Sequence, residues 1–205
     1  MGRAIGTLRA KASWTAALVV GSITVEALAA QAHKPGSETW TEVAGSKGAS
    51  TVELLTTADY YGLEALKIWE YDARPCVLQI EQGSFNTQSV GVLEPVKVCE
   101  PKATENWKRA DVGAGQFVTG ISVCTAQGKD ATPEIHGVEL WGAVLGENAK
   151  IKPGSSVKFA FPRCDKWSPR RSCPWGSVAT GLRTEIQGER GAVGIALRCH
   201  KLVAR

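Results

Sequence analysis

At 205 residues with a formal net charge of +4, the chain is long enough for one domain behind a short leader. Residues 1–32 hold three of the 24 bases and one of the 20 acids, so the remainder carries 21 against 19, a net +2. No basic stripe is left to make a nucleic-acid footprint, which needs clustered Lys and Arg, and nucleic acid is excluded as a partner on this reading.

The first segment has three zones. Arg3, Arg9 and Lys11 form a positive end, and Trp14 to Val25 is an apolar run broken by Thr15, Gly21, Ser22 and Thr24. Ala27-Leu28-Ala29 and Ala30-Gln31-Ala32 then offer small-x-small sites. That is the order an export signal needs. A spanning helix needs about 20 mostly apolar residues, so this run is too short and polar to cross a membrane, and no later segment comes near that length. Residues 1–32 are expected to be a signal peptide cut after Ala29 or Ala32. Residues 33–205 then form a single secreted domain, extracellular or periplasmic. All six cysteines (Cys76, Cys99, Cys124, Cys164, Cys173 and Cys199) fall in that domain. An even number in an oxidising compartment predicts disulfides, at least two of them, with 15 full pairings open and Cys164, Cys173 and Cys199 contributing. No Cys-x-x-Cys occurs and histidine is scarce, so neither a metal nor another cofactor is expected.

Residues 33–38 are a polar lead-in. Beyond them Gly, Pro, Ser and Asn recur at the spacing of short strands divided by turns, and only Tyr60 to Ile68 could equally be helical. One block runs from Trp107 through Gln116 to Cys124, a polar turn, and Ile135 to Trp141. Pro153-Gly154-Ser155-Ser156 reads as a turn before the alternating Val157–Phe161 segment. A second block repeats the first: Trp167, then Ser177 to Glu185, a turn, and Val193 to Cys199. Both share Thr-Gly-Ile/Leu in the opening strand and Gly-Val/Ile-x-Leu in the closing one. Leu66-Lys67-Ile68-Trp69 after Trp40 is a fainter echo, and Val96-Lys97-Val98-Cys99 a further remnant. Each unit would present one apolar face, with Val138 beside Leu140 and Ile195 beside Leu197. About three such units can bury those faces together, which predicts an all-β fold, a β-prism or barrel-like arrangement of antiparallel strands. Mid-strand Gly120 and Gly181 predict tight packing or bulges.

The stretch Cys173-Pro174-Trp175-Gly176-Ser177-Val178-Ala179-Thr180-Gly181-Leu182, closed by Gly194-Ile195-Ala196-Leu197-Arg198-Cys199, resembles the units of the vitelline membrane outer layer protein I family. So does Asp130 to Leu140. The cover is residues 105–202. The resemblance implies a β-prism of three sheets, secreted, disulfide-linked, and associated with extracellular coats and oligosaccharides. Three departures stand out: Trp141-Gly142 replaces a closing Cys, Asp130 is the only acid at a turn that the family makes Asp-rich, and the last block has no Asp at its turn.

Catalytic residues are not expected. There is no Gly-x-Ser-x-Gly elbow, no His-Glu-x-x-His pair and no phosphate-binding glycine loop. His136 shares a face with Val138 and Leu140 and reads as a core histidine. A glycosidase would need two carboxylates flanking a bond, and Glu134 with Glu139 is a weak pair on spacing alone. The aromatic residues carry more. Six Trp fall in the mature domain, and Trp69, Trp141 and Arg198 are expected on outer faces. Indole stacks on the C–H patches of sugars while carboxylates and guanidinium groups take the hydroxyls. The candidate ligand-binding residues are therefore Trp141, Glu139, Trp69, Asp165, Trp167, Arg170 and Arg171, with Trp107 and Trp167 architectural at the start of each unit. The reading is a secreted glycan- or cell-surface-binding, lectin-like module without catalysis, whose partner is an extracellular glycan or surface component. The alternatives are a structural protein of an extracellular layer or a carbohydrate-active enzyme.

Overall fold

The computed structural model describes residues 30–71, 74–87, 89–100, 105–127 and 133–204. The expected signal up to Ala29 and the Asp130 turn lie outside them. The described chain opens with four short pieces, β1 (Gln31–His33), β2 (Thr39–Trp40), β3 (Ala44–Gly45) and β4 (Ser50–Leu55). A long hairpin follows, β5 (Tyr61–Tyr71) and β6 (Arg74–Ser84), then β7 (Val90–Val92), β8 (Val96–Lys97) and β9 (Glu105–Asp111). The second hairpin is β10 (Gln116–Gln127) and β11 (Pro133–Leu145), followed by β12 (Ile151–Ala160), β13 (Lys166–Trp167) and β14 (Arg171–Ser172). The third, β15 (Ser177–Ile186) and β16 (Ala192–Ala204), ends the chain.

These strands make three antiparallel sheets, each built on one hairpin. In sheet III, β9 pairs β5, and β7 and β8 share the far edge of β6. In sheet II, β12 pairs β11, and β13 and β14 share the far edge of β10. Sheet I is assembled from both ends of the chain: β4 pairs β15, while β1, β2 and β3 line the edge of β16. Every sheet thus has one continuous edge strand and one broken one. Pro95 and Pro169 interrupt two of the broken edges, because proline cannot donate to a ladder.

Strand alternation sends one face of each sheet inward, as expected. Leu66, Ile68, Leu78 and Ile80 from sheet III meet Ile121, Val138 and Leu140 from sheet II and Leu182, Ile195 and Leu197 from sheet I, all within one cluster and sealed from water. Burying each such side chain contributes about 1.5–3 kcal/mol. The fold is an all-β triangular prism around that core.

Several local expectations change. Tyr60 to Ile68 is strand, apart from its first residue, and Leu66–Trp69 belongs to an opening strand instead of a closing one. Sheet III closes with β6, where Leu78 and Ile80 replace the Gly-Ile-x-Leu pattern. Val96-Lys97 is an edge strand. Pro153–Ser156 is no turn: it runs inside β12, where the register slips between Trp141 and Ala143 and Gln116 Oε1 accepts the Ser155 N–H at 2.8 Å. Gly120 and Gly181 do sit at bulges, directly after register shifts. A Cβ on Gly181 would stand 2.5 Å from the Leu54 carbonyl oxygen, so only glycine lets β4 close on β15.

All six cysteines pair, each with its next neighbour in sequence: Cys76–Cys99, Cys124–Cys164 and Cys173–Cys199. The first ties parts of sheet III and the second parts of sheet II. Cys173–Cys199 instead joins the chain leaving β14 to β16, clamping sheet II to sheet I. Replacing both Cys173 and Cys199 by Ser is expected to cost about 2–4 kcal/mol, a fall of roughly 5–15 °C in melting temperature, read by scanning calorimetry.

The short β1 is held by histidines. His33 stacks on His200, ring centroids 4.7 Å apart at 10°, with Phe85 edge-on. Its Nε2–H donates to the Tyr61 carbonyl (2.9 Å), and His200 Nδ1 lies 2.8 Å from Thr180 Oγ1. Burial holds the His33 pKa down to about 4; the Tyr61 carbonyl opposes that, and His200 adds to it. Burial also lowers His200, with Arg198 assisting. The unfolded chain therefore takes up a proton near pH 6.5 that folded His33 refuses until about pH 4. Stability should drop as pH falls through that window, by about 2 kcal/mol for His33 after allowance for its partial exposure. Denaturant melts at pH 7.5 and 4.5 should show a smaller difference for His33→Phe than for the parent.

Candidate functional site

The outer face of sheet II carries Glu139 and Trp141 on β11, one on each side of inward Leu140. Trp141 stands opposite Gly120, across the bulge at Thr119, whose hydroxyl donates to the Trp141 carbonyl at 3.2 Å. Because Gly120 has no side chain, there is room above it: a Cβ there would lie 2.6 Å from Arg170 Nε. Arg170, entering β14, fills that room and lays its guanidinium over the Trp141 ring, 4.7 Å from the centroid. Partial burial lowers the Arg170 pKa and Glu139 pulls the other way. Among the described residues Arg170 makes no carboxylate ion pair, so its N–H groups keep donor capacity.

Beside this stack lies an open cleft of about 310 Å³. Trp141 and Ala143 form its floor, Pro153 of β12 one wall, and Pro174 and Trp175 the other. The second wall is a tight turn. Ser177 N–H donates to the Pro174 carbonyl (3.1 Å), and Gly176 takes the positive φ of 77° that the third turn position demands. Trp175 is pushed outward at the turn's second position, between the ring of Pro174 and Gly176, and is 91% exposed. A large indole so fully in water is uncommon in a domain with a complete core.

Of the seven candidates, the structure brings together Trp141, Glu139 and Arg170. Trp69 is on another sheet, where Lys67 Nζ lies 4.2 Å from its ring centroid and 4.0 Å from that of Trp107. Asp165 and Trp167 sit beside Cys124 and Thr125, four residues along β10 from Gly120, or roughly 13 Å at strand rise. Arg171 turns away to pair with Glu42. Trp175 was legible only as part of a repeat motif. The missed signal was its place between Pro174 and Gly176, two residues after Cys173, where a turn cannot tuck an indole inside.

Trp107 corrects a further expectation. It closes sheet III from its edge strand and is 52% exposed, not buried at a seam. Trp167 likewise ends sheet II instead of opening sheet I. His136 is the core histidine expected: 2% exposed, with Nδ1 3.0 Å from Glu70 Oε1 and Nε2 3.8 Å from Glu134 Oε2. Glu134 is buried and Glu139 faces outward, so the two flank no common bond. Among the described residues no three His, Cys, Asp or Glu side chains are placed to hold a metal ion.

No protein family model matches the chain, and no curated protein does. Solved structures do. Calystegia sepium agglutinin superposes with a TM-score of 0.51 at 15% identity, covering 80% of this chain and 97% of that one. A Calsepa lectin in complex with a bisected glycan gives 0.49 at 14% over 82% and 98% of the two chains. A mannose-specific jacalin-related lectin from Morus nigra gives 0.46 at 8% over 80% and 95%. The likeness to the agglutinin establishes the fold: the chain is a β-prism.

The exposure of Trp107 predicts a mild mutant. Trp107→Ala should lower stability by about 1 kcal/mol or less, whereas Phe117→Ala, which empties a buried site, should cost about 3–5 kcal/mol. Thermal melts of the pair decide it.

Proposed function

We propose that this protein is a secreted, non-catalytic glycan-binding module and that the Trp141–Arg170–Trp175 cleft is its sugar site. The observation that carries the reading is the freely exposed Trp175 held on a tight turn, lining one cleft with a second indole and with a guanidinium that has no carboxylate partner among the described residues. A pyranose ring laid on Trp175 would gain stacking contact with no loss of core packing. Arg170 is fixed by Trp141 and Gly120, so its N–H groups can donate to ring hydroxyls at little entropic cost, and Glu139 can accept from them. The fold, shared with an agglutinin, agrees with this use. The Cys173-Pro174-Trp175-Gly176 and Gly194-Ile195-Ala196-Leu197-Arg198-Cys199 motifs of the last unit, in a fold of three sheets, support kinship with the vitelline membrane outer layer protein I family.

Three disulfides and the N-terminal zones support export. Of the two cleavage sites, the one after Ala29 leaves β1 whole, while cutting after Ala32 removes two of its three residues, one of them buried Ala32. Secreted material should begin at Ala30 on N-terminal sequencing; a start at Met1 would refute export processing.

A glycan array on residues 30–205 tests the site. Trp175→Ala should weaken binding about tenfold or more with an unchanged melting temperature, since an exposed indole contributes stacking and no core contact. Arg170→Gln should weaken it as well. An array with no hits, or full binding by Trp175→Ala, overturns the assignment.

A further inference from the structure

One residue beyond Arg170, the chain builds a different environment. Arg171 pairs with Ile121, whose side chain is inside the prism, so its guanidinium enters the seam between sheets II and I. There Arg171, Lys47 and Glu42 from the segment around β3, and Arg183 from the outer face of β15, line a crevice of about 420 Å³. Three cations and one carboxylate line the crevice, and a second carboxylate, buried Glu185, lies behind Arg183. The lining carboxylate, Glu42, bonds Arg171 Nη1 at 2.5 Å but has a side chain 77% exposed, and an ion pair so open is screened and weakly held.

Both arginines are short of acceptors. The Nε–H groups of Arg171 and Arg183 are shut off from water and have no hydrogen-bond partner among the described residues. Glu185 Oε1 lies 3.6 Å from Arg183 Nε, beyond hydrogen-bond reach, and its other oxygen accepts from the Gly48 N–H at 3.1 Å. Arg183 is oriented from below by the Trp40 ring, 4.9 Å away. Lys47 is exposed and makes no ion pair among the described residues.

We infer that this crevice is a subsite for a tetrahedral oxyanion, a sulfate or phosphate ester. Cations that converge from three elements suit a group with oxygens on several sides, whereas a planar carboxylate satisfies one guanidinium fork. That the ester is carried by a saccharide rests on the reading of the cleft: Arg170 and Arg171 are consecutive, so cleft and crevice lie on either side of one edge strand. Glu42 then acts as a stand-in anion that a bound ester displaces.

Amide chemical-shift titrations of the secreted domain with galactose 6-sulfate, galactose 6-phosphate and galactose test this. The two esters should shift the amides of Lys47 and Arg183 at millimolar concentration, and galactose should not. Removing the competing carboxylate by Glu42→Gln should tighten ester binding by about two- to fivefold, and Lys47→Gln with Arg171→Gln should weaken it about tenfold. A response to one ester alone identifies the sulfate or the phosphate as the group bound. Trp175→Ala should leave these shifts intact while lowering array binding, so the two sites fail independently. Esters that leave Lys47 and Arg183 unmoved, or a Glu42→Gln variant no tighter than the parent, overturn the proposal.

Discussion

Everything here depends on one constraint: each sheet has a single apolar face and no way to cover it alone. Three such faces closed on one another leave no apolar face in water, and Ile121, Leu140, Leu182 and Leu197 show how completely they are sealed. Two of the sheets are local, since the chain runs from hairpin to edge strands without leaving the unit. Sheet I cannot be. Its inner hairpin is the last to emerge, and its edges are the first strands of the domain, so the prism closes only when the two ends of the chain meet. This explains why β1 needs a dedicated anchor in the His33–His200 stack, and why Cys173–Cys199 lies at the junction of sheets I and II.

Within this frame one irregularity recurs. The register slips at Leu63/Ala65, Val118/Gly120 and Ala179/Gly181, and the residue facing each slip is Glu81, Trp141 and Arg198 respectively. All three point outward from equivalent places. In sheet III the position is neutralised, Glu81 accepting from Arg109 Nε at 2.8 Å; in sheet I, Arg198 pairs with Glu38. In sheet II alone the position is an indole, and the cation that covers it has no carboxylate partner among the described residues. The threefold scaffold thus pairs the charged residue at two of its equivalent spots and sets an indole under a guanidinium at the third.

How much of this was legible follows from the physics of each signal. Strand alternation is local, so the inward set of Val138, Leu140, Ile195 and Leu197 and the outward Trp69 and Trp141 could be read directly. The bulges at Gly120 and Gly181 were readable because glycine within a strand needs a reason. The boundaries between units were not. The tryptophans at 107 and 167 precede each repeat in sequence but pair back to the hairpin before it, and sequence order carries no information on which edge a short strand joins. Likewise the polar Pro153–Ser156 run has the composition of a turn, yet Gln116, two strands away on β10, accepts the Ser155 N–H while the run continues as strand. The cleft was only half visible for the same reason: Trp141 and Arg170 meet through the space Gly120 leaves, which no pattern along the chain reports.

The pair Arg170-Arg171 shows how little sequence separates two uses of one chemistry. Successive side chains on an extended chain face opposite ways, so the residue before β14, Arg170, sends its guanidinium to the outer indole and the first residue of β14, Arg171, sends its own to the seam. Their assignment depends wholly on register, because a slip of one residue would exchange them. Register at such a short strand cannot come from its own ladder. It is fixed from beyond the strand, by the Cys173 N–H bond to the Thr119 carbonyl (2.8 Å) and by the covalent tie from Cys173 to Cys199. The disulfide that clamps two sheets of the prism is therefore also what aims both arginines, and the bulge at Thr119 that opens the cleft is the point to which the strand is pinned.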